Sequence, residues 1–179
     1  MPLPGTDTTG AYKEVLGGSS KFVNTIPSTA VASTTVETLF DQNYSIPANT
    51  LKAGSVIKIS YQGIATTVVG SDTIVSKLYI GGLSGTALQT CTATAPNASG
   101  IFAGEMTLVV RTAGASGTFV GDGTFTKVPN VAGTATRVDQ SIASTAINTL
   151  AAQVVGVSCT WNTTNANSCR LDVLRVEIL

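Results

Sequence analysis

Ser55-Val56-Ile57-Lys58-Ile59-Ser60-Tyr61-Gln62 is the stretch that decides the fold class. Its apolar side chains fall at every second position. Ile57, Ile59 and Tyr61 therefore share one face of an extended chain, while Lys58, Ser60 and Gln62 share the other. The same signal recurs on both sides. Thr73–Ile80 predicts a strand ended by Gly81-Gly82, Ala87–Thr94 a weaker one, and Ile101–Thr112 a longer one with Met106, Leu108 and Val110 on one face. Upstream, Thr35-Val36-Glu37-Thr38-Leu39-Phe40 is rich in β-branched and aromatic residues, and Ser45–Gly54 carries turn residues.

Gly117–Val128 has Gly121-Asp122-Gly123 at its centre. Asp-Gly between β-forming residues predicts a hairpin turn, because both turn positions need positive φ. Thr134–Val138 and Ala146–Leu150 each predict a short strand. Gln153–Trp161 and Cys169–Leu179 predict a closing pair around a hairpin loop, Thr160–Ser168. In the last segment Leu171, Val173, Arg175 and Glu177 alternate with Asp172, Leu174, Val176 and Ile178. No segment sustains apolar positions at helical spacing. The expected fold is all-β: an antiparallel β-sandwich, jelly-roll-like. An immunoglobulin-like sandwich is the rival, but its Cys…Trp…Cys spacing is absent, since Trp161 follows Cys159 by two.

The 179 residues suit one domain. Residues 1–32 differ from the rest, because Pro2, Pro4, Gly5, Gly10, Gly17, Gly18 and Pro27 interrupt any long element. They predict an extended N-terminal arm ahead of a sandwich domain over 33–179. The arm's scattered apolar residues, Leu3, Tyr12, Leu16 and Phe22 among them, are the candidate partner contacts.

Composition excludes several functions. Charged residues are 11% of the chain, with Lys+Arg and Asp+Glu at ten each. Ten scattered cations do not make a nucleic-acid surface. There is no histidine, which removes Ser-His-Asp and Cys-His nucleophiles and histidine metal sites together. Thr (28) and Ser (16) supply much of the polarity, so the surface is weakly charged as well as net neutral. Such a surface favours association over life as a soluble monomer. The first residues show no secretory signal, and no apolar run reaches membrane-spanning length.

The remaining motifs read as structure. Ser55-Val56-Ile57-Lys58 matches an S-x-x-K string, but on a strand Ser and Lys point to opposite faces. Gly17-Gly18-Ser19-Ser20-Lys21 lacks the spacing of a phosphate loop. Asp7 and Asp122 belong to no dense carboxylate cluster, and Asp122 is expected in a turn. The loop with Trp161, Asn162, Asn165 and Asn167 offers a polar, aromatic-tipped edge, set against a Trp that packs back on the sheet. Cys91, Cys159 and Cys169 are expected as buried thiols, the last two close enough across neighbouring strands to oxidise. Three glycosylation-type triplets, at Asn43, Asn97 and Asn162, are near chance for this composition.

Tyr44-Ser45-Ile46-Pro47-Ala48-Asn49-Thr50-Leu51-Lys52-Ala53-Gly54-Ser55-Val56-Ile57-Lys58-Ile59 resembles a stretch of the β-sandwich virion proteins of tailed bacteriophages, and Leu78-Tyr79-Ile80-Gly81-Gly82 resembles the string that follows it. The resemblance spans residues 40–85 and carries no catalytic residue. It implies a jelly-roll-like structural protein of a phage particle, of the capsid cement or decoration type. It further implies assembly in the host cytoplasm, contact with a major capsid or other virion protein, and a homo-oligomer with a trimer favoured. The expected function is non-enzymatic, with no cofactor, metal, nucleic acid or membrane. A receptor- or glycan-binding head of a tail or fibre, using the Trp161–Ser168 loop, is the alternative.

Overall fold

A computed structural model describes residues 11–16, 19–94, 99–128 and 136–179. In chain order the strands are β1 (Ala11–Leu16), β2 (Ser19–Asn24), β3 (Val31–Ala32), β4 (Thr38–Leu39), β5 (Tyr44–Ile46), β6 (Val56–Thr66) and β7 (Thr73–Ile80). A 3₁₀ turn (Gly82–Ser84) precedes β8 (Thr86–Thr94), β9 (Ser99–Thr112), β10 (Gly117–Val128), β11 (Thr136–Ile147), β12 (Gln153–Trp161) and β13 (Ser168–Ile178).

Among the described residues they form two antiparallel sheets. The large sheet runs β1-β2-β13-β6-β9-β10-β11, with β3 beside β13. The small sheet runs β4-β12-β7-β8, with β5 beside β12. The long strands pair in a nested way: β6 with the last strand β13, β7 with the penultimate β12, and β9 with β10. Rolling one long hairpin on itself gives this pattern, so the sandwich is jelly-roll-like. It departs where β7 and β8 close a local hairpin and where β10 and β11 extend the meander.

Alternation along each strand builds the core. Ile57, Ile59 and Tyr61 of β6 and Met106, Leu108 and Val110 of β9 point inward and are buried. They meet Leu78 and Ile80 of β7 and Val155, Val157 and Cys159 of β12. The Tyr44–Gly54 segment is the corner that feeds β6. Its Ile46 and Leu51 plug the sandwich, and Asn49 takes the left-handed conformation at φ 63° that Asn tolerates. Gly81 and Gly82, at φ 89° and 69°, end β7 in a conformation that a β-carbon would strain.

Several expectations are corrected. Gly121-Asp122-Gly123 is not a turn: β10 runs straight through it, with Asp122 opposite Thr107 on one side and Ser141 on the other. Glycine is needed there for close approach, since a β-carbon on Gly123 would lie 2.1 Å from the Glu105 carbonyl oxygen. Instead of two short strands, residues 136–147 form one, with a bulge where Ala143 and Ser144 oppose Val120. Only Thr38–Leu39 of the 35–40 stretch is strand. The Thr34 hydroxyl accepts the Val36 N–H at 3.1 Å, a local bond that competes with the ladder.

β12 and β13 are not a hairpin pair either, because they lie in different sheets and the 162–167 loop crosses between them. Cys159 and Cys169 are free thiols buried in the core between those sheets. A bulge at Asp172 also shifts the phase of β13, so Leu171 and Leu174 both face inward, where strict alternation would separate them. Asn24 pins it: the Leu174 N–H donates to its Oδ1 at 2.5 Å, and its Nδ2 donates to the Asp172 and Ile26 carbonyls.

Candidate functional site

The first 32 residues are not uniformly an arm. β2 pairs with β13 and β3 with its start, so the sheet continues well into that segment. Phe22 is 5% exposed and its ring stacks on Tyr44 at 4.9 Å, which places it in the chain's own core and removes it as a partner contact. Tyr12 and Leu16 lie on β1 opposite Val23 and Ser19. Leu3 lies outside the described residues.

Trp161 is 1% exposed, and its indole N–H is directed at the Val31 carbonyl at 3.4 Å. It packs back on the sandwich and offers no platform to a sugar. The loop after it is held by Asp72, which accepts from Asn165 at 2.9 Å and Asn167 at 2.7 Å. Those two amides, Asn165 first, hold the Asp72 carboxyl below its ordinary range. Asn167 also accepts the Val68 N–H at 3.0 Å. The loop polarity is therefore structural.

A second cluster ties the 37–39 segment to the small sheet. Glu37 accepts from Ser158 at 2.7 Å, from the Tyr79 hydroxyl at 3.0 Å and from Lys77 at 3.0 Å. Ser158 is fully buried and its hydroxyl proton is committed to Glu37, so no nucleophile is exposed there. Among the described residues no group of three or more His, Cys, Asp or Glu is placed to hold a metal ion, and no helix is long and apolar enough to cross a membrane.

The remaining candidate is the outer face of the large sheet. Strand register stacks its outward side chains in rows. One row reads Arg175, Ser60, Glu105, Thr124, Asp139 across β13, β6, β9, β10 and β11. The next reads Lys21, Glu177, Lys58, Thr107, Asp122, Ser141 across β2 to β11. These two rows and Arg137 place eight of the chain's twenty charged residues on this face. Two adjoining grooves of about 420 and 380 Å³ run along it and share Ser60, Glu105 and Arg175. Lys21 and Glu177 pair at 3.1 Å, and Arg137 and Asp139 at 3.3 Å.

Lys58, Arg175, Glu105 and Asp122 are exposed and form no ion pair with the described residues. Alternation already marks Lys58, Arg175 and Glu177 as outward. Their grouping with Glu105 and Asp122 follows from register between strands remote in sequence, which no single segment encodes.

No protein-family model matches the chain, and no curated protein matches it. Among solved structures it is similar to infectious bursal disease virus, Gx strain, at 13% identity and a TM-score of 0.40, covering 100% of this chain and 37% of that one. It is also similar to a mutant VP2 protein of that virus in derived T=1 particles, at 12% identity and a TM-score of 0.40, covering 100% of this chain and 36% of the other. The chain thus spans a little over a third of the length of those proteins.

Proposed function

We propose that this chain is a non-enzymatic structural protein of a virion, of the capsid cement or decoration type, that binds neighbouring subunits through its rigid sandwich. The observation that carries the reading links sequence to fold. The Tyr44–Ile59 and Leu78–Gly82 strings, which resemble those of phage virion sandwiches, are here the corner and strand end that set the sandwich's shape. Two features support it. The charge-poor chain still sets eight of its twenty charged residues in rows on one broad sheet face, which suits electrostatic complementarity with a protein partner. The groups with chemical potential, Ser158 and Asp72, are consumed by internal bonds. The partner is a major capsid or other virion protein, the location is the particle, and the assembly is a homo-oligomer, for which the phage resemblance favours a trimer. Burial of Trp161 weighs against a glycan-binding head.

The test is to mix the purified chain with particles that lack it, and to count bound copies by quantitative electrophoresis and electron microscopy. Saturable binding at many sites on the head supports the reading. Binding confined to a few copies at the tail, or binding to glycans instead of particles, overturns it. A truncation meant to probe the N-terminus must stop at residue 10. Removing residues 1–30 would also delete β2, with the core residue Phe22 and the bulge clamp Asn24.

A further inference from the structure

We propose that the outer face of the large sheet is self-complementary and docks face to face on a second copy of this chain, about a two-fold axis that runs parallel to the strands between β6 and β9. The inference rests on four exposed charges of that face that form no ion pair with the described residues. Arg175 and Glu105 lie in one row with Ser60 between them; Lys58 and Asp122 lie in the next row with Thr107 between them. Two strand spacings, roughly 9–10 Å, separate Arg175 from Glu105 and Lys58 from Asp122, and Glu177, which neighbours Lys58 on β13, is paired with Lys21. The cations sit on β13 and β6 and the anions on β9 and β10, so the face is positive on one side and negative on the other.

A two-fold axis along the β6/β9 seam sets each half over the opposite half of the other copy. In the idealised lattice of rows and strands, Arg175 of the second copy lands over Thr124. There it is one strand from Glu105 and one row from Asp122. Lys58 of the second copy lands over Thr107, between the same two carboxylates. The four charges alternate in sign as a square, and the symmetry makes a second square at the other end. A two-fold axis perpendicular to the strands would instead keep β13 and β6 of one copy over β13 and β6 of the other, so neither half would face its opposite. One like-charge approach remains at each end, Glu177 over Asp122. Lys21 sits beside that Glu177 at 3.1 Å, and Lys58 and Arg175 of the same copy also flank the site.

This contact does not require the virion reading, and its test uses the chain alone. Wild type should sediment with a concentration-dependent two-fold step in mass. That association should weaken about tenfold or more between roughly 50 and 500 mM NaCl, as exposed charges are screened. Lys58→Glu/Arg175→Glu makes the face negative on both halves, and Glu105→Lys/Asp122→Lys makes it positive on both. Each double variant alone should lose the step while keeping the wild-type circular dichroism, and an equimolar mixture should regain it.

A wild type that shows no two-fold step at low salt overturns the proposal. So does a step that survives both double variants, or a mixture of two folded double variants that does not associate. A trimer held by another surface would persist in both variants and is read separately from the two-fold step. Particle binding with a monomeric wild type would overturn this contact and leave the virion reading standing.

Discussion

Gln89 is a fully buried amide on β8 that reaches across the sandwich to the large sheet. Its Nε2 donates to the carbonyls of Glu105 at 2.9 Å and Thr124 at 3.1 Å, which face each other in register on β9 and β10. Its Oε1 accepts the Tyr61 hydroxyl at 3.1 Å. Gln89→Leu keeps the size of the side chain and deletes all three bonds. Each is worth about 1 kcal/mol net, and each group stranded in the interior costs about 1–3 kcal/mol, offset in part by the added apolar burial. The two carbonyls have second lone pairs and suffer less than the hydroxyl. The expected loss is about 2–4 kcal/mol, or roughly 5–15 °C in Tm for a chain of this size.

Tyr61→Phe alone should cost about 1–2 kcal/mol, because it leaves the Gln89 oxygen without its donor. In the Gln89→Leu background the same change removes a stranded hydroxyl and should be neutral or stabilising. The double-mutant cycle, read by urea and thermal unfolding, should therefore show coupling of about 1–2 kcal/mol. Burial pushes the Tyr61 phenol above its ordinary value, so it stays protonated throughout the measurement. A Gln89→Leu protein as stable as wild type, or a Tyr61→Phe cost equal in both backgrounds, would refute the bridge.

Three further outcomes are expected. Partial burial raises the Glu37 carboxyl, but the bonds from Ser158, Lys77 and Tyr79 outweigh it and hold the group below its ordinary 4.5. The stability this adds is present above that value and is lost as pH falls through the lower folded value, so Glu37→Gln should flatten the acid limb of a Tm-against-pH curve; an unchanged limb refutes the role. Gly123→Ala should destabilise by about 1–3 kcal/mol through overpacking against the Glu105 backbone, whereas a hairpin-turn role would leave the β9–β10 amide protection intact on hydrogen exchange. Burial raises the Cys169 thiol well above its ordinary range, helped by Cys159, and raises Cys91 as well, so native protein near neutral pH should resist iodoacetamide until unfolded, and prompt labelling of Cys169 would contradict its placement.

Alternation in β6, β7 and β9 was legible from the chain itself, because one face of each strand is buried and the pleat has a period of two. The inward set of Ile57, Ile59, Tyr61, Met106, Leu108 and Val110 followed directly, and with it the all-β class. Local reading failed where a neighbour strand supplied the constraint. Gly-Asp-Gly carries a turn composition, but β9 presses on its backbone and keeps it extended. Leu171 and Leu174 share the interior only because Asn24, about 150 positions away, holds a bulge between them. Phe22 sits in a segment broken by Gly and Pro, and β13 and Tyr44 draw it into the core.

The candidate face divides the same way. That Lys58 and Arg175 point outward is a property of their own strands, set by period and hydropathy. That they stand two strands from Glu105 and Asp122, with Ser60 and Thr107 between, is a matter of register among β13, β6, β9 and β10. Register depends on which strands find each other across long stretches of chain, and local propensity carries no information about that choice. Sequence alone determined the pleat and its buried side; tertiary pairing decided which charges became neighbours.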